Sequence, residues 1–242
     1  MLQVDDVTVA FGGIRALVDV SIDVEAGRIT GLIGPNGAGK TTLFNVITGL
    51  QRPRNGQVAL GGVRITTKGP RARARMGMGR TFQRLEVFGS LSALDNVLVA
   101  VENRGGLGRS ARQKAADLLA RVDLGHVARV QADVLPTGQA RLLELARALA
   151  CEPKVLLLDE PFSGLDANES ARVGDLLEQL AGEGLAILLV EHDMEMVMRL
   201  CARIHVLSFG SVIASGSPDQ IKADPGVQEA YLGAVVSAGA ET

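Results

Sequence analysis

Apolar and polar residues alternate at the start of the chain and then change to a helical spacing. The alternation predicts short strands over residues 3–10 and 21–24, separated by glycine-containing turns. A third apolar strand, over residues 28–33, runs into a glycine-rich stretch. Residues 40–47 then place apolar side chains three and four positions apart until Gly49, which ends the predicted helix. This part of the chain is therefore predicted to fold as strand, glycine-rich loop and helix.

The pattern changes again in the middle of the chain. Helical spacing dominates over residues 84–152 and is interrupted by a polar turn at residues 103–106. Continuous apolar runs return at residues 155–158 and 185–190, with a helical segment over residues 169–180 between them. That order is typical of buried parallel strands joined by a crossover helix. We therefore predict an α/β sheet interrupted by an inserted helical segment.

The last part of the chain contains one more turn signal. In residues 203–214, two strand-like segments lie on either side of a turn at Phe209-Gly210, and this pattern predicts a hairpin. Residues 218–232 predict two short helices before a tail of small residues. We find no internal repeat.

Composition limits the class of protein. The chain has 242 residues, of which 47% are apolar, and this suits one α/β domain or a domain with an inserted subdomain. The formal net charge of −2 gives no reason to expect attraction to nucleic acid or anionic lipid by the chain as a whole.

Cysteine usage and hydropathy indicate where the protein works. Cys151 and Cys201 lie far apart without a metal-binding spacing, which favours buried thiols in a reducing compartment. No apolar run approaches the ~18 residues of a membrane helix, and the first residues lack a basic segment followed by an apolar one. A membrane role would therefore be peripheral.

The segment from Gly34 to Thr41 fits the phosphate-binding pattern G-x-x-x-x-G-K-[ST]. Its glycines let backbone N–H groups point at phosphate oxygens, and Lys40 is predicted to hold the β- and γ-phosphates. An ordinary glycine loop would not need a lysine at the positive end of a helix. Thr41 is predicted to ligate Mg²⁺. The nucleotide-binding residues predicted here are Gly34, Pro35, Asn36, Gly37, Ala38, Gly39, Lys40, Thr41 and Thr42.

Two acids follow the apolar run at residues 155–158. Asp159 and Glu160 would stand at the carboxyl end of a strand, where ligands bind in such sheets. Asp159 is the predicted Mg²⁺ ligand, and Glu160 is predicted to polarise the attacking water, because phosphoryl transfer needs positioning and charge stabilisation. Taken alone, the two acids could simply end a strand at a solvent-exposed edge. The phosphate-binding segment makes that alternative less favoured.

Further motifs stand in a fixed order around these two. They are Gln83 after Arg80-Thr81-Phe82, the segment Leu135-Pro136-Thr137-Gly138-Gln139, the segment Ser163-Gly164-Leu165-Asp166, and His192 after an apolar strand. With the phosphate loop and the acid pair, this set resembles the ABC (ATP-binding cassette) ATPases over nearly the whole chain. The resemblance implies a P-loop NTPase (RecA-like) α/β core with an N-terminal antiparallel β subdomain and an inserted α-helical subdomain.

The resemblance also implies domain limits and residue roles. The ATP-binding core would comprise residues 1–83 and 153–222, the helical subdomain residues 84–152, and a C-terminal helix and tail residues 223–242. Gln83 would sense Mg²⁺ and the attacking water, His192 would hydrogen-bond the γ-phosphate, and Asp166 would belong to the D-loop. Phe11 would stack on adenine, with a structural core phenylalanine as the alternative. The implied activity is Mg²⁺-dependent ATP hydrolysis.

The signature segment departs from the common Leu-Ser-Gly-Gly-Gln form, because Pro136 stands where the serine is expected. In the family, the segment opens a helix that faces the nucleotide of an opposing cassette; here it would use Leu135, Thr137, Gly138 and Gln139. Losing one hydrogen bond to a charged group is worth ~1.5 to 3 kcal/mol. We therefore hypothesise an asymmetric pair of cassettes, unless Thr137 or the Gly138 N–H compensates.

A finer resemblance is to ATPase subunits of LIV-type branched-chain amino acid importers. It is carried by Gly79 to Gln83, Leu94 to Ala100, Glu191 to Met194 and Tyr231 to Gly233. It implies membrane subunits, a second ABC ATPase subunit in a hetero- or homodimer, an indirectly associated solute-binding protein, and no nucleic acid partner. The expected location is peripheral, at the cytoplasmic face of the inner membrane.

Several alternatives to amino-acid import stay open. Related importers carry urea or amides, and a related cassette drives lipopolysaccharide export. ABC ATPases without membrane partners usually have two cassettes in one chain or a long coiled coil, and this sequence shows neither.

A basic run surrounds the Gln83 position. Its members are Arg71, Arg73, Arg75, Arg80 and Arg84. We expect a solvated face, with contact to membrane subunits or lipid headgroups as the alternative. RNA binding is less favoured because no aromatic residues are interleaved for base stacking.

Overall fold

The computed structural model describes residues 1–81 and 86–230. The strands are β1 Leu2–Phe11, β2 Ile14–Val24, β3 Ile29–Ile33, β4 Asn55–Leu60, β5 Val63–Arg64, β6 Met78–Arg80, β7 Val155–Asp159, β8 Ala186–Val190, β9 Arg203–Ser208 and β10 Ser211–Gly216. The helices are α1 Lys40–Thr48, α2 Pro70–Arg75, α3 Ala93–Asn103, α4 Gly108–Arg121, α5 Thr137–Ala150, α6 Ala167–Gly182, α7 Met194–Leu200 and α8 Pro218–Ala223. Short 3₁₀ turns lie at Gly125–Val127 and Ala132–Val134, and residues 225–230 are also helical.

The strands form two sheets. A four-stranded antiparallel sheet has the order β2-β1-β4-β5, and a six-stranded sheet has the order β10-β9-β3-β8-β7-β6. The second sheet is parallel from β9 to β6, and β10 pairs antiparallel with β9. The carboxyl ends of β3 and β7 therefore lie on one edge of the sheet, where ligands bind in parallel α/β folds. The predicted fold class is confirmed.

The central strands follow directly from the sequence pattern. β3, β7 and β8 are buried at every position, as expected for parallel strands covered on both faces. One apolar cluster joins the sheet to the helices around α5, and a second joins it to α1 and the antiparallel sheet.

Helices fill the described part of the chain between β6 and β7. They are α3, α4 and α5, and the pairing there is one isolated bridge between Ser92 and Gln131. Ser92 caps α3 by accepting a hydrogen bond from the Asp95 N–H. The predicted polar turn at residues 103–106 separates α3 from α4.

Some elements were not predicted. The segment after α1 forms β4, β5, α2 and β6, and α7 follows β8. In addition, β2 begins at Ile14, seven positions before the predicted strand. β6 has three residues, of which Gly79 and Arg80 carry no strand signal, so its position depends on pairing with β7.

The basic run is not a uniformly solvated face, so that expectation was wrong for Arg73 and Arg80. Arg73 is 1% exposed, and its guanidinium donates to the Val46 and Ile47 carbonyl oxygens at the end of α1. A cation is favourable there because helix C-termini carry partial negative charge. Arg71 and Arg75 are exposed, as expected.

Among residues 1–81 and 86–230, no helix has the length and apolar character needed to cross a membrane.

Candidate nucleotide-binding site

The phosphate loop connects the end of β3 to the start of α1. Gly34 has φ 152°, and a Cβ there would lie 2.0 Å from the Leu207 carbonyl oxygen of β9. Gly39 has φ 108°, and its Cβ would lie 2.8 Å from the Ala16 carbonyl oxygen. Only glycine fits both positions, because backbone φ and a neighbouring strand exclude a side chain. Packing against β2 and β9 therefore fixes the course of the loop.

Lys40 is the first residue of α1 and is folded back over the loop. Its Nζ donates to the carbonyl oxygens of Gly34 at 2.6 Å and Pro35 at 3.0 Å. Burial lowers the pKa of Lys40, while the carboxylates of Glu160 and Asp159 act in the opposite direction. The ammonium group thus contacts the loop carbonyl oxygens and is influenced electrostatically by the two acids.

The other predicted loop residues differ in exposure. Asn36, Gly37 and Thr41 are exposed, Thr42 is half-buried, and Ala38 is buried. The Ala38 carbonyl oxygen accepts a hydrogen bond from the Gly210 N–H, so the β9–β10 turn supports the loop from behind.

Asp159 ends β7 and is 7% exposed. Its Oδ2 lies 3.4 Å from Arg80 Nη2, and Arg80 Nη1 also donates to Asn45 Oδ1 of α1 at 2.9 Å. Burial raises the pKa of Asp159, and Arg80 opposes this rise. The sequence interpretation missed Arg80 because a basic residue in a basic run gives no sign of burial.

Glu160 follows Asp159 in the chain, and its side chain contacts His192. His192 Nε2 lies 2.9 Å from Glu160 Oε1. Glu160 has φ 52°, a conformation that costs a non-glycine residue energy and that often marks a functional site. The Glu160 N–H donates to the Val190 carbonyl oxygen at 2.9 Å, which fixes the residue against the end of β8.

Glu191 is a second carboxylate that sequence reasoning did not single out. It is 5% exposed and accepts hydrogen bonds from the Phe162 N–H at 2.9 Å and the His192 N–H at 3.0 Å. Burial raises the pKa of Glu191. The side chain thereby ties the segment after Glu160 to the segment carrying His192.

The donor set fits a hard cation bound together with a nucleotide. In the described residues, no three histidine, cysteine or acidic side chains converge as a metal cage. Mg²⁺ does not need such a cage, because it usually takes one or two protein oxygens and completes its shell with water and phosphate oxygens. The Asp159 carboxylate and the Thr41 hydroxyl are oxygen donors of that kind.

The signature segment precedes and opens α5. Pro136 occupies the N-cap position without a side-chain hydrogen bond, Thr137 is exposed and Gly138 is buried. A Cβ on Gly138 would lie 2.5 Å from Glu169 Oε1. Leu135 and Gln139 are half-buried.

Asp166 begins α6 beside the signature segment. Its Oδ1 accepts from the Glu169 N–H at 2.8 Å, and Glu169 Oε2 accepts from the Asp166 N–H at 3.0 Å. This capping box satisfies two N-terminal donors of α6 and places Glu169 against Gly138.

Phe11 lies at the end of the β1–β2 hairpin, paired with Ile14. It is 51% exposed, so it is not a core phenylalanine. Gln83 and the Tyr231-Leu232-Gly233 segment lie outside the described residues.

A cleft of about 560 Å³ lies between β6 and the helices α3 and α5. Exposed apolar side chains at its margin are Leu50, Phe88 and Val99. Its polar lining includes Arg80, Glu86, Asn103, Glu144 and Arg147.

Two family models match the chain. One, described as ABC transporter, matches residues 17–163, and the other, described as Branched-chain amino acid ATP-binding cassette transporter, matches residues 211–237.

Similar proteins cover almost the full length. The high-affinity branched-chain amino acid transport ATP-binding protein BraF of Pseudomonas aeruginosa is 38% identical over 249 residues, covering 96% of this chain and 98% of BraF. The high-affinity branched-chain amino acid transport ATP-binding protein LivG of Escherichia coli K12 is 37% identical, covering 96% of this chain and 98% of LivG. The lipopolysaccharide export system ATP-binding protein LptB of Haemophilus influenzae is 33% identical, covering 96% of this chain and 97% of LptB.

Solved structures agree. A nucleotide-free ATP-binding cassette from an ABC transporter superposes with a TM-score of 0.87 at 31% identity, covering 96% of this chain and 98% of the other. A dimeric cassette in a post-hydrolysis state bound to ADP and Pi has a TM-score of 0.81 at 27% identity, covering 90% and 99%.

Proposed function

The chain belongs to the ABC transporter family and is an ATPase subunit of such a transporter, and from that premise we propose that it drives uptake of branched-chain or related amino acids. The observation that carries the proposed solute class is the match of residues 211–237 to the branched-chain amino acid cassette family. Full-length similarity to BraF and LivG supports it.

Hydrolysis requires charge stabilisation on the phosphates and a positioned water. Lys40 binds the β- and γ-phosphates, for which it exchanges its present contacts with the loop carbonyl oxygens. Glu160 orients and polarises the attacking water, and His192, 2.9 Å from Glu160, hydrogen-bonds the γ-phosphate. Gln83 contributes to the same water and metal site, as expected from its motif.

We propose that hydrolysis depends on Mg²⁺ held by Thr41, Asp159 and Gln83. The ion would neutralise developing negative charge on the phosphate oxygens. Phe11 is proposed to stack on the adenine, which its exposure permits.

One protein partner in this proposal is a second ABC ATPase subunit. Thr137, Gly138, Gln139 and Leu135 would face the nucleotide bound by that subunit, and Asp166 would lie beside the interface. Thr137 is exposed at the first turn of α5, where helix N-H groups and the positive dipole end favour phosphate. Because Pro136 carries no hydroxyl, the site completed by this chain would be the weaker one of an asymmetric pair.

The remaining partners are membrane subunits and, indirectly, a solute-binding protein. The cleft between β6 and α3/α5 suits an amphipathic helix of a membrane subunit, since apolar Phe88 and Val99 border charged Glu86 and Arg147. ATP-driven closure of two cassettes would move that helix, and hydrolysis would reopen them. The chain would thus work as a peripheral subunit at the cytoplasmic face of the inner membrane.

A second candidate is a subunit for lipopolysaccharide export. Similarity to LptB proteins, 33% identical in the Haemophilus influenzae case, favours it.

The test compares ATP hydrolysis by the wild-type chain and its Glu160→Gln variant, alone and assembled with the membrane and ATPase subunits encoded beside it. We expect Mg²⁺-dependent activity that rises on assembly, rises again with an amino-acid-loaded binding protein, and is lost in the variant. Stimulation by lipopolysaccharide instead of an amino acid would favour the second candidate. Full activity in Glu160→Gln would refute the site assignment.

A further inference from the structure

Glu191 lies between the segment that follows Glu160 and the segment that carries His192. It directly follows β8 and is 5% exposed. Its two carboxylate oxygens contact different segments, because Oε1 accepts from the Phe162 N–H at 2.9 Å and Oε2 accepts from the His192 N–H at 3.0 Å. One side chain therefore joins the backbone two residues after Glu160 to the backbone of His192.

The Glu191 carboxylate is compensated by backbone N–H groups and not by a cation. Among the side chains that the structure describes, no arginine, lysine or histidine forms an ion pair with it. Burial raises the pKa of Glu191, and hydrogen bonds from the Phe162, His192 and Asp193 N–H groups oppose this rise. A buried charge is costly unless its hydrogen bonds are made. The carboxylate therefore favours the arrangement in which both segments keep their donors in place.

Glu160 needs support of this kind because its backbone is strained. Its φ of 52° lies in the left-handed region, which a non-glycine residue keeps only where its surroundings impose it. The Glu160 N–H donates to the Val190 carbonyl oxygen at 2.9 Å, and its own carbonyl oxygen accepts from the Ser163 N–H at 3.2 Å. The contact between Phe162 and Glu191 joins the same two segments beside these bonds. It therefore helps to hold Glu160 in its left-handed conformation.

We propose that Glu191 is a positioning residue for Glu160, and that it holds the two segments where His192 Nε2 lies 2.9 Å from Glu160 Oε1. Glu191 touches neither nucleotide nor water in this proposal and acts through its two neighbours. A displacement of about 1 Å in a catalytic group can lower a rate about a hundredfold, so a small shift of Glu160 is enough to reduce hydrolysis. This consequence rests on the proposed function, whereas the contact can be tested without it.

The contact is tested by hydrogen exchange of the full-length chain at the Phe162 and His192 amides. In Glu191→Ala, we expect exchange at both to rise about tenfold to hundredfold, because each amide loses a hydrogen bond to a charged group. Glu191→Gln keeps one oxygen acceptor and should show a smaller rise at one of the two amides. Glu195→Ala removes an exposed carboxylate from the first turn of α7 and is the matched control, with wild-type exchange. Unchanged exchange at both amides in Glu191→Ala would overturn the proposal.

The consequence is tested by the kinetics of ATP hydrolysis in the assembled transporter. Glu191→Ala should lower kcat about tenfold to hundredfold, because Glu160 is displaced, while the KM for ATP stays near the wild-type value. The KM is preserved because Lys40 and the phosphate loop are unaltered. Glu191→Gln should recover part of kcat, and Glu195→Ala should match wild type. A raised KM with an unchanged kcat would contradict a role in positioning Glu160.

A second background separates positioning from a general loss of structure. In Glu160→Gln, the group that Glu191 positions no longer acts, so adding Glu191→Ala should lower the residual rate much less than it lowers the wild-type rate. An equal fold-loss in both backgrounds would overturn the proposal. If the wild-type assembly hydrolyses no ATP, the proposed function fails, and the exchange result still decides whether the contact exists. Should Glu191→Ala not fold, Glu191→Gln and the shorter carboxylate of Glu191→Asp provide the same comparisons.

Discussion

Arg73 illustrates how one buried cation can support the phosphate-loop helix. Its guanidinium donates to four carbonyl oxygens, those of Val46, Ile47, Thr66 and Lys68. Arg73→Met would remove all four of these hydrogen bonds, and we expect the free energy of unfolding to fall by about 3 kcal/mol or more. Urea denaturation measures this directly. Arg71→Met, in the same helix but exposed, should stay within about 0.5 kcal/mol of wild type.

The buried pair Arg80–Asp159 is expected to contribute to the free energy of unfolding. The two side chains are about 10% exposed, so removing one partner strands a buried charge. Arg80→Met should lower the free energy of unfolding by about 3 to 5 kcal/mol. Adding Asp159→Asn should restore part of that loss, because the uncompensated carboxylate is gone. A double-mutant cycle by urea denaturation checks this, and strictly additive losses would contradict a direct pair.

Two elements show which parts of the site the sequence could predict. The phosphate loop was predictable because its glycines, Lys40 and its flanking strand and helix are encoded within about twenty consecutive residues. β6 was not, because Met78, Gly79 and Arg80 become a strand only through their pairing with β7, about 77 positions later. The same non-local pairing buries Arg80 against Asp159. Roles assigned to His192 and the signature segment needed family resemblance, since a single histidine or threonine has no chemical signal of its own.

At the start of α5, replacing the N-cap proline should change the opposing nucleotide site more than it changes stability. Pro136→Ser would add an N-cap hydroxyl worth about 1 kcal/mol. It would also remove the conformational restriction of proline, worth about 0.4 to 1 kcal/mol. The free energy of unfolding should therefore change little, whereas the nucleotide of the opposing subunit would gain a hydrogen-bond donor.

Activity can be assigned to that opposing site by silencing this chain's own site with Glu160→Gln. In the assembled transporter, adding Pro136→Ser to Glu160→Gln should raise the residual ATP hydrolysis about tenfold. Pro136→Ala, which adds no hydroxyl, is the matched control. An unchanged rate would mean that Thr137 or the Gly138 N–H already supplies the missing interaction.

At the scale of the whole molecule, the nucleotide site and the signature segment stand on different elements with different neighbours. Lys40, Asp159, Glu160 and His192 gather at the strand ends, whereas Gly138 packs against Glu169 of α6. In the function proposed above, a complete site requires a second cassette, and a related structure is dimeric. Specific ATPase activity of the isolated chain should therefore rise with protein concentration, because association is a mass-action process.

Hydrolysis measured across a hundredfold dilution series, together with sedimentation of the same samples, checks this dependence. The fraction of dimer and the activity per chain should rise in parallel, and Glu160→Gln at each concentration controls for contaminating ATPases. Adding a cassette whose signature contains serine should raise the activity of the Lys40–Glu160 site further, because that site would then receive the hydroxyl that Pro136 lacks. Constant activity per chain in samples that sediment as monomers would show that one cassette hydrolyses ATP unaided, and the asymmetric pair would lose its basis.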